Sequence, residues 1–226
     1  DEALARDFAA DALACFERAM AMFDKLDAAQ QGREQVLRLR LRMGYALQMA
    51  EGFGSARAWQ YFDSVAQEVQ TASAGLPDQQ DILFAALGGS FMGGSSQGRV
   101  DGLSIAYRME RMAVSPQQRL MAASALGNSL FWRGDFKACR RALEQALALA
   151  DALPPAERTR YCVDDPALVC RAFLAWTLWF QGDRKGARAM VRAALAVAEA
   201  GQGVHSTCFG YALLLAVYWC QGEHAR

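Results

Sequence analysis

Apolar residues return at steps of three and four along nearly the whole chain, and the breaks between runs carry helix starts and stops rather than strand turns. The pattern predicts helices over about residues 3–27, 32–51, 55–74, 78–95, 99–113, 116–132, 136–152, 166–181, 184–200 and 204–221, which pair in order as five hairpins. Ser115 before Pro116 and Asp165 before Pro166 mark two of the starts. In each, a side-chain oxygen can accept from the first helical turn, where proline's missing N–H costs nothing. No run alternates apolar and polar residues between turn dipeptides, so the expected fold class is all-α. Ala152 to Asp164, with Pro154 and Pro155, is the longest stretch outside the pattern and reads as a solvated connection.

One stretch is richer than periodicity alone. Leu126, Gly127 and Leu130 share a helix face, Gly134-Asp135 forms a tight corner, and Phe136, Cys139, Leu143 and Ala146 continue into a second helix. A looser copy holds Leu174, Ala175, Leu178, Gly182, Asp183, Ala187, Val191 and Ala194, and a third opens at Leu214 to Gly222. These positions resemble the tetratricopeptide signature, in which small residues let two helices approach and larger ones fill the space between them. Ala12, Phe16 and Ala19 have the spacing of a second helix without its first, and Met43, Gly44 and Leu47 resemble a first helix leading to Gly54. The resemblance implies a right-handed superhelix of antiparallel helical hairpins, a TPR-like α-solenoid, over residues 1–226 as a single domain. Its best repeats are 120–153 and 168–200, and its partial repeats are 8–27 and 204–226. The steps from Gly134 to Gly182 and on to Gly222 are unequal, so a strict array is not expected.

Gly44-Tyr45-Ala46-Leu47 before Gly52 and Gly54, Leu130 to Phe136, and Asp165-Pro166 followed by Val169-Cys170 and Leu178-Trp179 resemble the repeat region of large bacterial regulators. There, a STAND or MalT-like ATPase is joined to such repeats and to a nucleotide cyclase or a DNA-binding domain. The resemblance implies a non-enzymatic sensor or scaffold in signalling or transcription regulation, with catalysis placed in other segments. A chain that begins at Asp1 and stops shortly after Gly222 fits the expectation of a piece of such a protein.

Composition narrows the classes. A hydrophobic content of 53% with five prolines suits a helical core. Twenty-four basic and twenty-four acidic residues leave no net charge, so no overall field favours nucleic acid or an anionic membrane. Six cysteines without CxxC spacing read as reduced thiols, Cys139 at a small packing position, which points to the cytoplasm. The uncharged run Phe209 to Cys220 is too short for a bilayer and reads as a repeat helix.

No catalytic constellation is complete. Gly88 to Gly98 is glycine-rich, but Gly94 is followed by Ser95 and no buried strand precedes it, so neither a P-loop nor a dinucleotide cradle is expected. Glycine there is read as allowing close helix contact. His205 and His224 lack partners at zinc spacing, and neither metal nor cofactor is expected. Asp165 is read as a helix cap and Asp164 as solvated. Arg33, Arg38, Arg40 and Arg42 spread around their helix, which favours local salt bridges over a nucleic-acid stripe.

What remains is an aromatic surface. Projecting the repeat register forward places Phe131 and Trp132, Trp179 and Phe180, and Trp219 at the inward end of successive first helices, with Asn128 and Trp176 one turn earlier. Ser124, Ala172 and Ala212 lie another turn back and would leave room beside the rings. The expected occupant of this concave groove is a protein or peptide segment or a small apolar effector. Neighbouring domains of the same chain are also expected partners. A constitutive interaction or oligomerisation scaffold is the alternative, and an enzyme built on the same helices the remote one.

Overall fold

Ser115 starts its helix with a reciprocal cap. Its Oγ accepts the backbone N–H of Gln118 at 3.1 Å, and the Gln118 carboxamide oxygen accepts the Ser115 N–H at 3.4 Å. Asp165 does the same more simply, Oδ1 taking the Ala167 N–H at 2.8 Å. The computed structural model describes residues 9–23, 25, 32–71, 79–91, 101–162, 164–200 and 204–220. Among these the helices are α1 (Ala9–Phe23), α2 (Arg33–Glu51), α3 (Ala56–Thr71), α4 (Gln79–Ser90), α5 (Gly102–Met112), α6 (Pro116–Trp132), α7 (Phe136–Asp151), α8 (Pro155–Arg158), α9 (Pro166–Phe180), α10 (Arg184–Ala200) and α11 (Val204–Cys220). The described residues contain no strand, and the all-α expectation holds. The helices gather into two units, Asp1–Ile105 and Ala106–Arg226, where the sequence reading treats the chain as one domain.

In the first unit α2 packs on α1, α3 and α4, and α3 on α4. Phe62 of α3 is fully buried, and its ring fills the space that a Cβ would take at both Gly44 of α2 and Gly89 of α4. Glycine at those two points is what lets the ring sit against two helix backbones at once. Tyr45 meets the same ring edge-on at 5.0 Å, and the buried Gln48 Nε2 donates to the Gly89 carbonyl at 3.3 Å. The arginines of α2 form local pairs: Arg33 and Arg40 with Glu68 at 3.2 and 2.8 Å, and Arg38 with Glu34 at 2.8 Å. Residues 92–98 of the glycine-rich segment lie outside the described residues.

In the second unit α6 and α7 form one hairpin and α9 and α10 another, and α9 also packs on α6, α7 and α11. The two corners repeat one device. Gly134 and Gly182 adopt φ of 75° and 83°. Each following aspartate N–H reaches back five residues, Asp135 to Leu130 O at 3.1 Å and Asp183 to Leu178 O at 2.9 Å. The same aspartates cap the next helix, Oδ1 accepting from Ala138 at 3.0 Å and from Gly186 at 2.8 Å. Between the hairpins the Cys139 thiol meets the Thr177 hydroxyl at 3.2 Å, and Thr177 donates to Phe173 O at 2.8 Å. The hydroxyl's single proton is thereby spent, so the thiol is the donor of the pair.

Three expectations need correction. The connection after α7 is largely exposed, as expected of a solvated connection, but it is not without helix: it contains α8, and Arg158 braces it by donating to Leu153 O at 3.1 Å and pairing with Asp165 at 3.2 Å. Asp164 is not solvated but only 3% exposed. Ser124 and Ala172 do not open a groove. Both are buried between helices, Ser124 Oγ accepting the Cys170 thiol at 3.3 Å and Ala172 packing with Val191 and Leu214. No helix among the described residues is long and apolar enough to cross a membrane.

Candidate functional site

The Gly-Asp corner after α6 decides where the aromatic residues meet. By reversing the chain within a few residues it sets Phe136, the first residue of α7, at 5.8 Å from Phe131 near the end of α6. On α9, Phe173, Trp176 and Phe180 are spaced three and four apart and share one helix face. The two sets interlock around Phe131. Phe173 stands edge-on to it at 5.2 Å, Trp132 at 5.3 Å and Trp176 at 6.4 Å. Phe180 is stacked on Phe136 at 5.1 Å and 13°, and on Trp176 at 5.7 Å and 21°. Edge and offset contacts of this kind are the arrangements that ring quadrupoles favour, each contributing about 0.5–1.5 kcal/mol beyond burial.

Beside these rings lies a cavity of about 430 Å³, with Ala212 and Leu213 of α11 forming another part of its lining and Gly134 completing the corner. Phe173 is buried, whereas Trp132 is 74% and Phe180 52% exposed. Two hydrogen bonds hold the frame. The Trp176 indole N–H donates to Leu213 O at 3.1 Å, and the Gln181 side chain donates to Phe136 O at 3.1 Å. No residue lining the cavity titrates, so it offers apolar surface and ring faces rather than a proton or a charge.

The structure brings together four of the residues expected at a site, Phe131, Trp132, Trp176 and Phe180, and leaves three outside the lining. Trp179 follows its own direction. Its ring lies under the Arg184 guanidinium at 5.0 Å, outside the lining. Trp219 is 70% exposed but stands two turns along α11 from Ala212, about 10 Å away by helix rise. Asn128 is half-buried on α6. Phe136, Phe173 and Leu213 complete the lining without having been expected there. The three-and-four spacing of Phe173 with Trp176 and Phe180 is the signal that would have found Phe173.

Burial governs the thiols nearby. It pushes Cys139 above the usual value and Cys170 to about 12, and holds Cys162 well above the usual value with Asp164 and Asp165 adding to the effect. Among the described residues no group of three or more His, Cys, Asp or Glu side chains could hold a metal ion. The His205 side chain and His224 lie outside the described residues. Comparison with known proteins returns no matching family model, no matching curated protein and no matching solved structure.

Proposed function

We propose that residues 106–226 are a tetratricopeptide-like binding module of non-enzymatic character, a sensor or scaffold for a larger cytoplasmic regulator, and that the aromatic cavity is where it takes its ligand. The observation that carries this reading is the cavity itself: about 430 Å³, lined by six aromatic rings, with Trp132 largely exposed beside it. That size lies within the range of small-molecule sites, which combine mostly apolar walls with few polar groups. Exposed rings are costly to leave in water unless something covers them part of the time. The absence of any titratable group from the lining argues for binding there rather than proton transfer. The repeated Gly-Asp corners and the packing of α9 on both neighbouring hairpin helices support the repeat reading. A ligand seated between the rings and α11 would act as an effector by favouring one position of α11 over others, since only differential affinity shifts a conformational equilibrium.

Titration with N-phenyl-1-naphthylamine, a neutral probe whose emission rises in apolar surroundings, tests the module. Saturable binding at one site is expected, and Ala212→Trp, which fills the cavity from α11, should abolish it. Binding that survives Ala212→Trp unchanged would remove the cavity from consideration.

A further inference from the structure

Resting on the reading above, the geometry points to a ligand class: a neutral, planar aromatic molecule of two or three fused rings that stacks on the Trp132 indole. Phe180 lies parallel to both Phe136 and Trp176, so each of these three rings already has a parallel partner. Trp132 differs. Its ring contacts are with Phe131 at 85° and Phe173 at 76°, both edge-on, and it is 74% exposed. It has no parallel partner among the described residues, most of its surface is open to one, and an indole offers the largest such face of any side chain.

Charge and volume narrow the class. An anionic group inside the cavity would lose hydration against ring faces that carry no counter-charge, and of the two side-chain donors in the lining, the indole N–H groups of Trp132 and Trp176, the second is committed to Leu213. An uncharged ligand avoids that loss. A partner helix is about 10 Å across, so two turns of it occupy on the order of 800 Å³, well beyond the 430 Å³ available. A flexible alkyl chain would fit by volume but would leave the face of Trp132 without a parallel surface and would lose more rotational freedom on binding. A fused-ring plane satisfies volume, charge and face together.

The test displaces N-phenyl-1-naphthylamine from the full chain with four competitors: 2-naphthol, the anion 2-naphthoate, 1-dodecanol, and a twenty-residue amphipathic Leu/Lys peptide. The expected order puts 2-naphthol at least tenfold ahead of the others. Trp132→Leu keeps apolar bulk without a planar face and should weaken 2-naphthol about tenfold, equivalent to about 1.4 kcal/mol, while Trp132→Phe stays within about threefold of the parent. Circular dichroism of both variants checks that an exposed substitution leaves the fold intact. Equal affinity in Trp132→Leu and the parent overturns the stacking. Stronger displacement by dodecanol, naphthoate or the peptide overturns the ligand class and leaves the binding module standing. No saturable binding of probe or competitor overturns both.

Discussion

The indole N–H of Trp176 on α9 donates to the backbone carbonyl of Leu213 on α11 at 3.1 Å. The bond ties the ring wall of the cavity to its α11 side through a main-chain atom. Trp176→Phe keeps a ring to stack on Phe180 but removes the donor, and the loss should be roughly 1 kcal/mol. The measurable consequence is local: amides of α11 should exchange faster with solvent while those of α6 and α7 keep their protection. Equal protection in the variant and the parent would mean that apolar packing by Leu214 and Val217 alone holds α11 in place.

In the first unit the sharpest packing constraint is Phe62 against Gly44 and Gly89. Alanine is the better helix former by about 1 kcal/mol, so at an indifferent site Gly89→Ala would stabilise. Here the new methyl runs into the Phe62 ring, which is fully buried and has nowhere to turn. Overpacking of about 1–3 kcal/mol should win, lowering the urea midpoint. Pairing Gly89→Ala with Phe62→Leu should cost less than the sum of the two, because the shorter side chain vacates the space that the methyl needs.

At the corners the prediction has a different cause. Nothing lies within 4 Å of a Cβ built on Gly134 or Gly182, so replacement there meets no clash. Only the left-handed backbone resists it. Gly134→Ala and Gly182→Ala should each cost about 1 kcal/mol, and Gly134→Asn less, since asparagine tolerates that region. Asp135→Ala should cost about another 1 kcal/mol by removing the cap on α7. Thermal melts of the four variants separate these terms, and an asparagine variant no better than the alanine one would count against the backbone explanation.

The corners were legible in the sequence because they are local: a glycine that accepts positive φ, followed by an aspartate that caps, is complete within a few residues. Helix existence was legible for the same reason, through spacing alone. The site was legible only in part. Its aromatic composition could be read, and Phe131, Trp132, Trp176 and Phe180 do line one cavity. The phase of each helix could not be settled by register projection, which set Trp179 in the groove although its ring lies under Arg184. Leu213 lies beyond any local signal, since its place in the lining depends on how α11 packs on α9. Phe62 carries the same lesson: Gly44 and Gly89 each looked permissive on its own, but their shared ring is a contact between helices distant in sequence. Asp164 is buried at the end of a stretch whose residues are mostly exposed, so composition there points the wrong way for this one side chain.

The buried thiols give a prediction in pH. Burial raises Cys139 and Cys162 above the usual value of 9.0 and takes Cys170 to about 12. In the unfolded chain each would lose its proton near 9 while the folded protein still holds it. The unfolded state then binds fewer protons, so stability falls as pH rises. The contribution is whole below about pH 9 and, for Cys170, is lost between there and about 12, at up to about 1.4 kcal/mol per pH unit. Urea midpoints measured from pH 8 to 10.5 should therefore decline, and the decline should be shallower in Cys170→Ala by about one proton. The thiols should also divide by reactivity at pH 8. The buried Cys139 and Cys170 should resist iodoacetamide in the native state, whereas the exposed Cys15, Cys208 and Cys220 should be open to it. Native labelling of Cys170 as fast as Cys208, together with an unchanged pH slope in Cys170→Ala, would show that the core between α6 and α9 opens readily and that the thiol is not held away from water.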